Sequence, residues 1–373
     1  MSTEILSPEQ VQRAAELIKA GRLVAFPTET VYGLGASIFD PEAIQALFQA
    51  KGRPSDNPLI AHVHSVSQVE EIAQEIPDDF YLLARQFFPG PLSVVLKKRA
   101  CIPMIASGGL DSIAVRMPSH PIALALIASV GAPLVAPSAN LSGKPSSTTL
   151  KHVLEDFDGK IAAVIDGGQT DVGIESTVIS LLGPIPVLLR PGSVTKEAIE
   201  EVLGVTLQVV SSSSSGSVLS PGMKYRHYAP RTPIRVFYAL EDLSNHLQSN
   251  SCIPKVIQKL VPRLCQSPGV EIPASGSIFE NIGPTCENST AGAFTKPRNQ
   301  FLSHFGYMAK RMLLSRLPLN LSGLDHFVFS RKEFYALLRH ADEKRYDEIL
   351  ILCDEEDQKD AGLMNRLSKA ASK

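Results

Sequence analysis

No stretch of the sequence approaches the roughly 20 consecutive apolar residues that a membrane-spanning helix needs, and the N-terminus carries no apolar run of signal-peptide length. The expectation is a cytoplasmic protein without a membrane role. Five cysteines, at positions 101, 252, 265, 286 and 353, form no CxxC pair and no Cys/His set with zinc spacing. That pattern argues for a reducing compartment and against structural metal. A surplus of charge is also missing: 36 Lys and Arg stand against 38 Asp and Glu, a formal net charge of -2. No global field holds a polyanion, so a nucleotide or nucleic acid must meet a local cluster of basic groups. Internal repeats are absent as well. What is present, 44% hydrophobic and 20% charged residues over 373 positions, describes a globular chain long enough for two or more domains.

Ser7-Pro8-Glu9-Gln10 supplies an N-cap, an N1 proline and a capping-box partner. Val11, Ala14, Ala15 and Ile18 follow at helical spacing, with Gly21 as the stop. Leu23-Val24-Ala25-Phe26 reads as a buried strand broken by Pro27, which delivers Thr28, Glu29, Thr30 and Tyr32 onto the loop beyond. Further apolar runs at 59–63, 92–96, 113–115, 134–136, 162–165, 177–181 and 187–189 predict strands, and helical patterns fall near 41–50, 67–75, 78–88, 121–130 and 195–203. Some strands follow each other too closely for a crossover helix. The predicted fold class is therefore α/β, with a twisted mixed sheet and helices around a concave cavity. The serine-rich run 211–217 reads as flexible. The expected division is a catalytic domain over 1–210, a linker over 211–232 and a smaller C-terminal α/β domain over 233–373. In that domain strands are expected at 234–238 and 349–352 and helices at 333–340 and 361–370, while 265–300 is loop-like.

Several runs carry residues suited to chemistry. Lys51-Gly52-Arg53-Pro54-Ser55-Asp56-Asn57-Pro58 follows a predicted helix and suits a triphosphate, with a planar fork on Arg and a point charge on Lys. The same cations could simply complement the helix dipole. Val135 to Thr148, containing Pro137-Ser138-Ala139-Asn140 and Gly143-Lys144, is rich in small hydroxyls that suit a phosphate or carboxylate, or an ordinary turn. Gly173-Ile174-Glu175-Ser176-Thr177-Val178 and Leu189-Arg190-Pro191-Gly192 carry glycines that let a ligand approach the backbone, though each run alone is more often a turn than a site. Arg116, embedded in an apolar strand, needs a carboxylate from a ligand or from the protein, for which Asp111 and Glu175 are candidates. His62 and His64 alternate onto one strand face, but no third metal ligand is near. In 220–230 Lys224, Arg226 and His227 sit beside Tyr225 and Tyr228, a density suited to a base or a polyanion.

Taken in order, Pro27-Thr28-Glu29-Thr30-Val31-Tyr32-Gly33-Leu34, Lys51-Gly52-Arg53-Pro54, Pro137-Ser138-Ala139-Asn140, Glu175-Ser176-Thr177-Val178 and Leu189-Arg190-Pro191-Gly192 resemble the threonylcarbamoyl-AMP synthase family, YrdC type, in its long two-domain form. The resemblance covers about residues 8–230 and returns in the tail at Gly362-Leu363-Met364-Asn365-Arg366-Leu367. It implies an L-threonylcarbamoyladenylate synthase, a nucleotidyltransferase that condenses L-threonine, bicarbonate and ATP for tRNA modification next to the anticodon. It also implies Thr30, His62, Arg116, Ser138 and Ser176 around threonine. Around ATP it implies Arg53, Asn57, Ser112, Asn140, Ser147 and Arg190, with Lys51 beside the phosphates and His227 or Tyr228 closing the pocket. Lys51 and Arg53 are the expected catalytic pair, so alanine at either should cut turnover by orders of magnitude while the fold survives. ATP enters as substrate with magnesium, and no tightly bound cofactor or protein-held metal is expected. A tRNA threonylcarbamoyl transferase complex is the implied downstream partner, with direct tRNA contact open. Two other readings fit parts of the pattern: an RNA-binding module without chemistry, and a carbamoyl-adenylate former using carbamoyl phosphate.

Overall fold

Start and stop signals in the chain set the local elements. Asp40 caps the helix Pro41–Lys51, its Oδ1 accepting from the amides of Glu42 and Ala43 at 3.0 and 2.9 Å, and Gly52 ends it in the left-handed region at φ 59°. That helix therefore ends with Lys51 in its last turn and Arg53 just past it. The structure, a computed structural model, describes residues 2–210, 228–239, 241–243, 246, 305–308, 325–327, 330–353 and 355–372. The serine-rich run, His227 and the 265–300 segment lie outside the described residues.

In chain order the first unit comprises β1 (Glu4–Leu6), α1 (Val11–Lys19), β2 (Val24–Phe26), β3 (Gly33–Ser37), α2 (Pro41–Lys51), β4 (Ile60–His62), α3 (Val66–Ile72), α4 (Asp78–Phe87) and β5 (Leu92–Lys97). It continues through β6 (Ser112–Arg116), α5 (Pro121–Val130), β7 (Leu134–Val135), α6 (Leu150–Phe157), β8 (Ala163–Ile165), β9 (Thr177–Ser180), β10 (Val187–Arg190), α7 (Lys196–Leu203) and β11 (Gln208–Val209). The strands join in the order β1-β8-β2-β3-β7-β4-β6-β5-β9-β10-β11. Pairings such as β4 with β6 and β5 with β9 are parallel, whereas β2 with β3 and β9 with β10 are antiparallel. The expected mixed sheet is the observed one. Sequence reading omitted β1, β3, β11 and α6.

The second unit holds β12 (Ile234–Phe237), β13 (Phe305–Met308), β14 (Asp325–Phe327), α8 (Phe334–Lys344), β15 (Glu348–Leu352), α9 (Glu355–Lys359) and α10 (Ala361–Ala371), with a parallel sheet ordered β12-β15-β13-β14. Its core does not stop at its own edge. Phe334, Tyr335, Leu338, Leu363 and Leu367 share one buried apolar cluster with Val31 and Ile174 of the first unit. Burying apolar surface across that seam favours a fixed rather than a swinging arrangement.

Candidate active site

A cleft of about 610 Å³, including its open mouth, lies on the face of the large sheet. Ile60 and His62, two apart on β4, both look into it, as the two-residue period of a strand requires. Register sets Arg116 of β6 beside His62. The strand break at Pro27 delivers Thr30, the turn after β7 delivers Ser138 and Asn140, the residue before β9 is Ser176, and Arg190 ends β10. Arg53 enters from the turn after α2. Eight expected site residues, Thr30, Arg53, His62, Arg116, Ser138, Asn140, Ser176 and Arg190, thus line one cavity although up to 160 residues separate them in the chain.

Four expected residues sit elsewhere. Lys51 is 2% exposed and does not line the cavity. Its ammonium donates to the carbonyls of Ser138 and Asn140, both at 2.5 Å, so the amine holds the loop that carries those two side chains. Burial first and Arg53 second push its pKa well below the usual lysine value, while the two carbonyls favour the charged form. Asn57 is buried behind Arg53, which donates to its backbone carbonyl at 3.4 Å, and its own side-chain oxygen has no partner among the described residues. Ser147 donates to the carbonyl of Ala139 at 2.5 Å, behind the same loop. Ser112 begins β6 at the opposite end from Arg116, roughly 13 Å away along an extended strand. There it lines a separate depression with Glu75, Lys97 and Leu182. His227 lies outside the described residues, but Tyr228, its neighbour, lines the cleft.

Arg116 finds its carboxylate in Glu29, at 2.7 Å and with both side chains under 10% exposed, rather than in Asp111 or Glu175. The Pro27-Thr28-Glu29-Thr30 loop is thereby tied to β6, and Glu29 also accepts from the amide of Ser119 at 3.1 Å. His64 follows the end of β4, so it does not continue the strand alternation from His62. The His62 imidazole is pushed down to about 3, by burial first and then by Arg116, and stays neutral at working pH. Its Nδ1 lies 3.2 Å from the carbonyl of Ile60; donation there leaves Nε2 as an acceptor.

The lining also contains groups that sequence reading did not assign. Lys144 joins Arg53, Arg116 and Arg190, so four cationic side chains face the cleft beside one carboxylate, Glu175. Lys144 pairs with buried Asp156 at 2.7 Å, and Asp156 is also held by Arg339 of α8 at 2.8 Å. Glu175 is held from the second unit by Arg366 at 2.9 Å and by the hydroxyl of Tyr335 at 2.8 Å. The only forewarning of Arg366 was its place in the tail motif. The hydroxyls are already engaged: Ser138 donates to Asn140 Oδ1 at 2.5 Å, Ser176 lies 2.8 Å from Ser93, and Thr30 lies 2.9 Å from Thr28. Among the described residues none of them bonds to His62, so this wall can bind and orient an anionic ligand but shows no assembled nucleophile and base.

Residues 16–192 match the family described as telomere recombination, that of Sua5, YciO and YrdC, and residues 194–372 match the C-terminal domain of threonylcarbamoyl-AMP synthase. The threonylcarbamoyl-AMP synthase of Pyrococcus abyssi is 53% identical over 229 residues, 61% of this chain and 67% of its own length. That of Schizosaccharomyces pombe is 35% identical over 94% of this chain and 85% of its own. The crystal structure of P. abyssi Sua5 complexed with L-threonine superposes with a TM-score of 0.78 at 37% identity, covering 99% of this chain and 98% of that one. In sequence over both units and in fold over nearly its whole length, the chain belongs to the threonylcarbamoyl-AMP synthase family, in its two-domain Sua5 form.

Proposed function

We propose that the cleft condenses L-threonine, bicarbonate and ATP into threonylcarbamoyl-AMP and pyrophosphate, which makes the chain a nucleotidyltransferase serving tRNA modification beside the anticodon. Threonine's amine and bicarbonate lose water to give N-carboxy-threonine. An oxygen of that carbamate attacks the α-phosphorus of ATP, and pyrophosphate leaves with the electron pair of the broken P–O bond. No enzyme nucleophile enters this sequence, so rate comes from holding the reactants in line and offsetting negative charge.

The observation that carries the reading is the chemical asymmetry of one cavity. Thr30, His62, Arg116, Ser138 and Ser176 offer small hydroxyls, a neutral imidazole and a guanidinium suited to threonine. Arg53, Lys144 and Arg190 offer charge, and Asn140 a neutral amide, suited to a triphosphate whose magnesium arrives as part of the substrate. Lys51, Asn57 and Ser147 act from behind, by holding the loops on which those groups stand. His62, neutral and with Nδ1 turned to a carbonyl, accepts a proton contact from threonine through Nε2. Tyr228, near the end of the 211–232 linker, covers the nucleotide end. The product is a reactive mixed anhydride, so a transferase complex acting on tRNA consumes it downstream. Mass spectrometry of the product after incubation with threonine, bicarbonate and MgATP, each omitted in turn, tests the reading. Product formed without threonine or without bicarbonate refutes it.

A further inference from the structure

The carboxylate of Glu175 is an awkward group for the wall of a site that takes a polyphosphate. Its counter-charge comes from the far end of the chain. Arg366 of α10, 0% exposed, donates Nε to Glu175 Oε2 at 2.9 Å, Nη2 to the Glu175 carbonyl at 3.1 Å and Nη1 to the Pro191 carbonyl at 2.5 Å. Tyr335 of α8 donates to the same Oε2 at 2.8 Å, while Ser146 of the first unit donates to Oε1 at 2.5 Å. Both carbonyls that Arg366 takes belong to the site. Glu175 precedes Ser176, and Pro191 follows Arg190, whose guanidinium itself holds the Ser176 carbonyl at 2.9 and 3.1 Å.

Backbone packing keeps this contact close. A Cβ on Gly362, at the start of α10, would stand 2.8 Å from the Gly192 carbonyl oxygen, and one on Gly192 would stand 2.4 Å from the Thr177 amide. The helix, the 190–192 turn and the start of β9 are therefore stacked without room for a side chain.

We propose that Arg366 is a positioning residue of the condensation: it cancels the charge of Glu175 on the cavity wall and, through the Pro191 carbonyl, holds the turn that carries Arg190, so the second unit completes the nucleotide site. This rests on the reading of the cleft as an ATP site. Among the described residues, the charged and titratable groups facing Glu175 are Arg366 and Lys369 from α10, Arg190 from β10, Tyr335 from α8 and Tyr228 from the 211–232 linker. Burial alone raises Glu175; Arg366 and then Arg190 overcome it and push the group down to about 2, so it is ionised and neutralised at working pH. Without Arg366 the carboxyl titrates higher, and once ionised it repels the incoming polyphosphate.

Steady-state kinetics of product formation, on the full chain from pH 6 to 9, test this with Arg366→Gln, Arg366→Lys and the double variant Arg366→Gln/Glu175→Gln. In Arg366→Gln the KM for ATP at pH 8 rises about tenfold or more, the cost of an unpaired unit charge several ångströms from a polyphosphate. Relative to wild type that rise shrinks toward pH 6 as Glu175 takes up a proton, and the KM for threonine stays within about threefold. Arg366→Lys, which keeps the charge and loses the fork, falls between wild type and Arg366→Gln. The double variant returns the KM for ATP to within about threefold of wild type and loses the pH dependence. An Arg366→Gln enzyme with wild-type KM for ATP overturns the proposal, and so does a double variant no better than the single one. Should the single variant not fold, the double decides alone: folded with near-wild-type KM supports the charge role, and misfolded or weak for ATP refutes it. If wild type makes no product from the three substrates, the reading of the cleft fails first, whatever Arg366 does.

Discussion

Replacing Lys51 by methionine decides whether the cation at the end of α2 works on substrate or on the protein. Methionine keeps most of the stem but removes the amine, which stands 6.0 Å from the centroid of the Phe157 ring and donates to Ser138 and Asn140. The Asn140 carbonyl is stranded inside the protein at about 1–3 kcal/mol, while that of Ser138 keeps the Asn140 amide at 2.9 Å, and the loss is partly offset because a buried ammonium no longer has to be desolvated. The expected net loss is about 1.5–3 kcal/mol, which in a unit of this size lowers the thermal midpoint by about 3–12 °C. The released loop carries Ser138 and Asn140, so the KM values for threonine and ATP rise together. Circular dichroism melts paired with product-formation kinetics check both consequences. A midpoint within about 2 °C of wild type, with turnover lost by orders of magnitude, refutes the loop-holding role and returns Lys51 to the phosphates.

Three further outcomes follow from the same contacts. Arg116→Met leaves the buried Glu29 carboxylate uncompensated and costs about 3–5 kcal/mol in urea denaturation, whereas Glu29→Gln/Arg116→Met recovers more than half of that loss. Glu175 sits at about 2 in the folded chain against an ordinary 4.5, so its contribution is present above pH 4.5 and is lost as pH falls toward 2. Stabilities from urea denaturation between pH 2 and 6 should fall by about 2–3 kcal/mol more in wild type than in Glu175→Gln, which keeps the decline owed to other paired carboxylates such as Asp156. Ser112→Ala, at the far end of β6 from the cleft, leaves the KM for ATP within about twofold of wild type, and a larger rise places Ser112 back in the nucleotide site.

Elements with their own punctuation were legible. The helices Pro41–Lys51 and Pro121–Val130 each carry a capping side chain, an N1 proline and a C-terminal glycine, and their expected spans agree with the observed ones to within a residue. Elements created by partners were not. Gly33-Leu34-Gly35-Ala36-Ser37 has little intrinsic strand preference, yet it pairs with β2 on one side and β7 on the other, and the Phe26 ring occupies the space a side chain at Gly35 would need, 2.8 Å from its Cβ position. β1, three residues long, exists because β8 accepts it across more than 150 residues of chain. α6 is the exception: Thr149 caps it by accepting from His152, and Val153 and Phe157 line its buried face, a signal present in the sequence and passed over.

The motifs, their order and the cluster of cations near 51–53, 116, 144 and 190 are properties of the chain, and they were enough to indicate the family and a nucleotide chemistry. The direction each charge faces is not a property of the chain. Lys51 and Arg53 are two residues apart, yet the helix end turns one under a loop and the other into the cleft. Arg116 needed a carboxylate, and only the folded sheet chose Glu29. Glu175 and Arg366, separated by 191 positions, meet because a buried charge is tolerated only where packing brings its opposite to it, and spacing along the chain does not report that meeting.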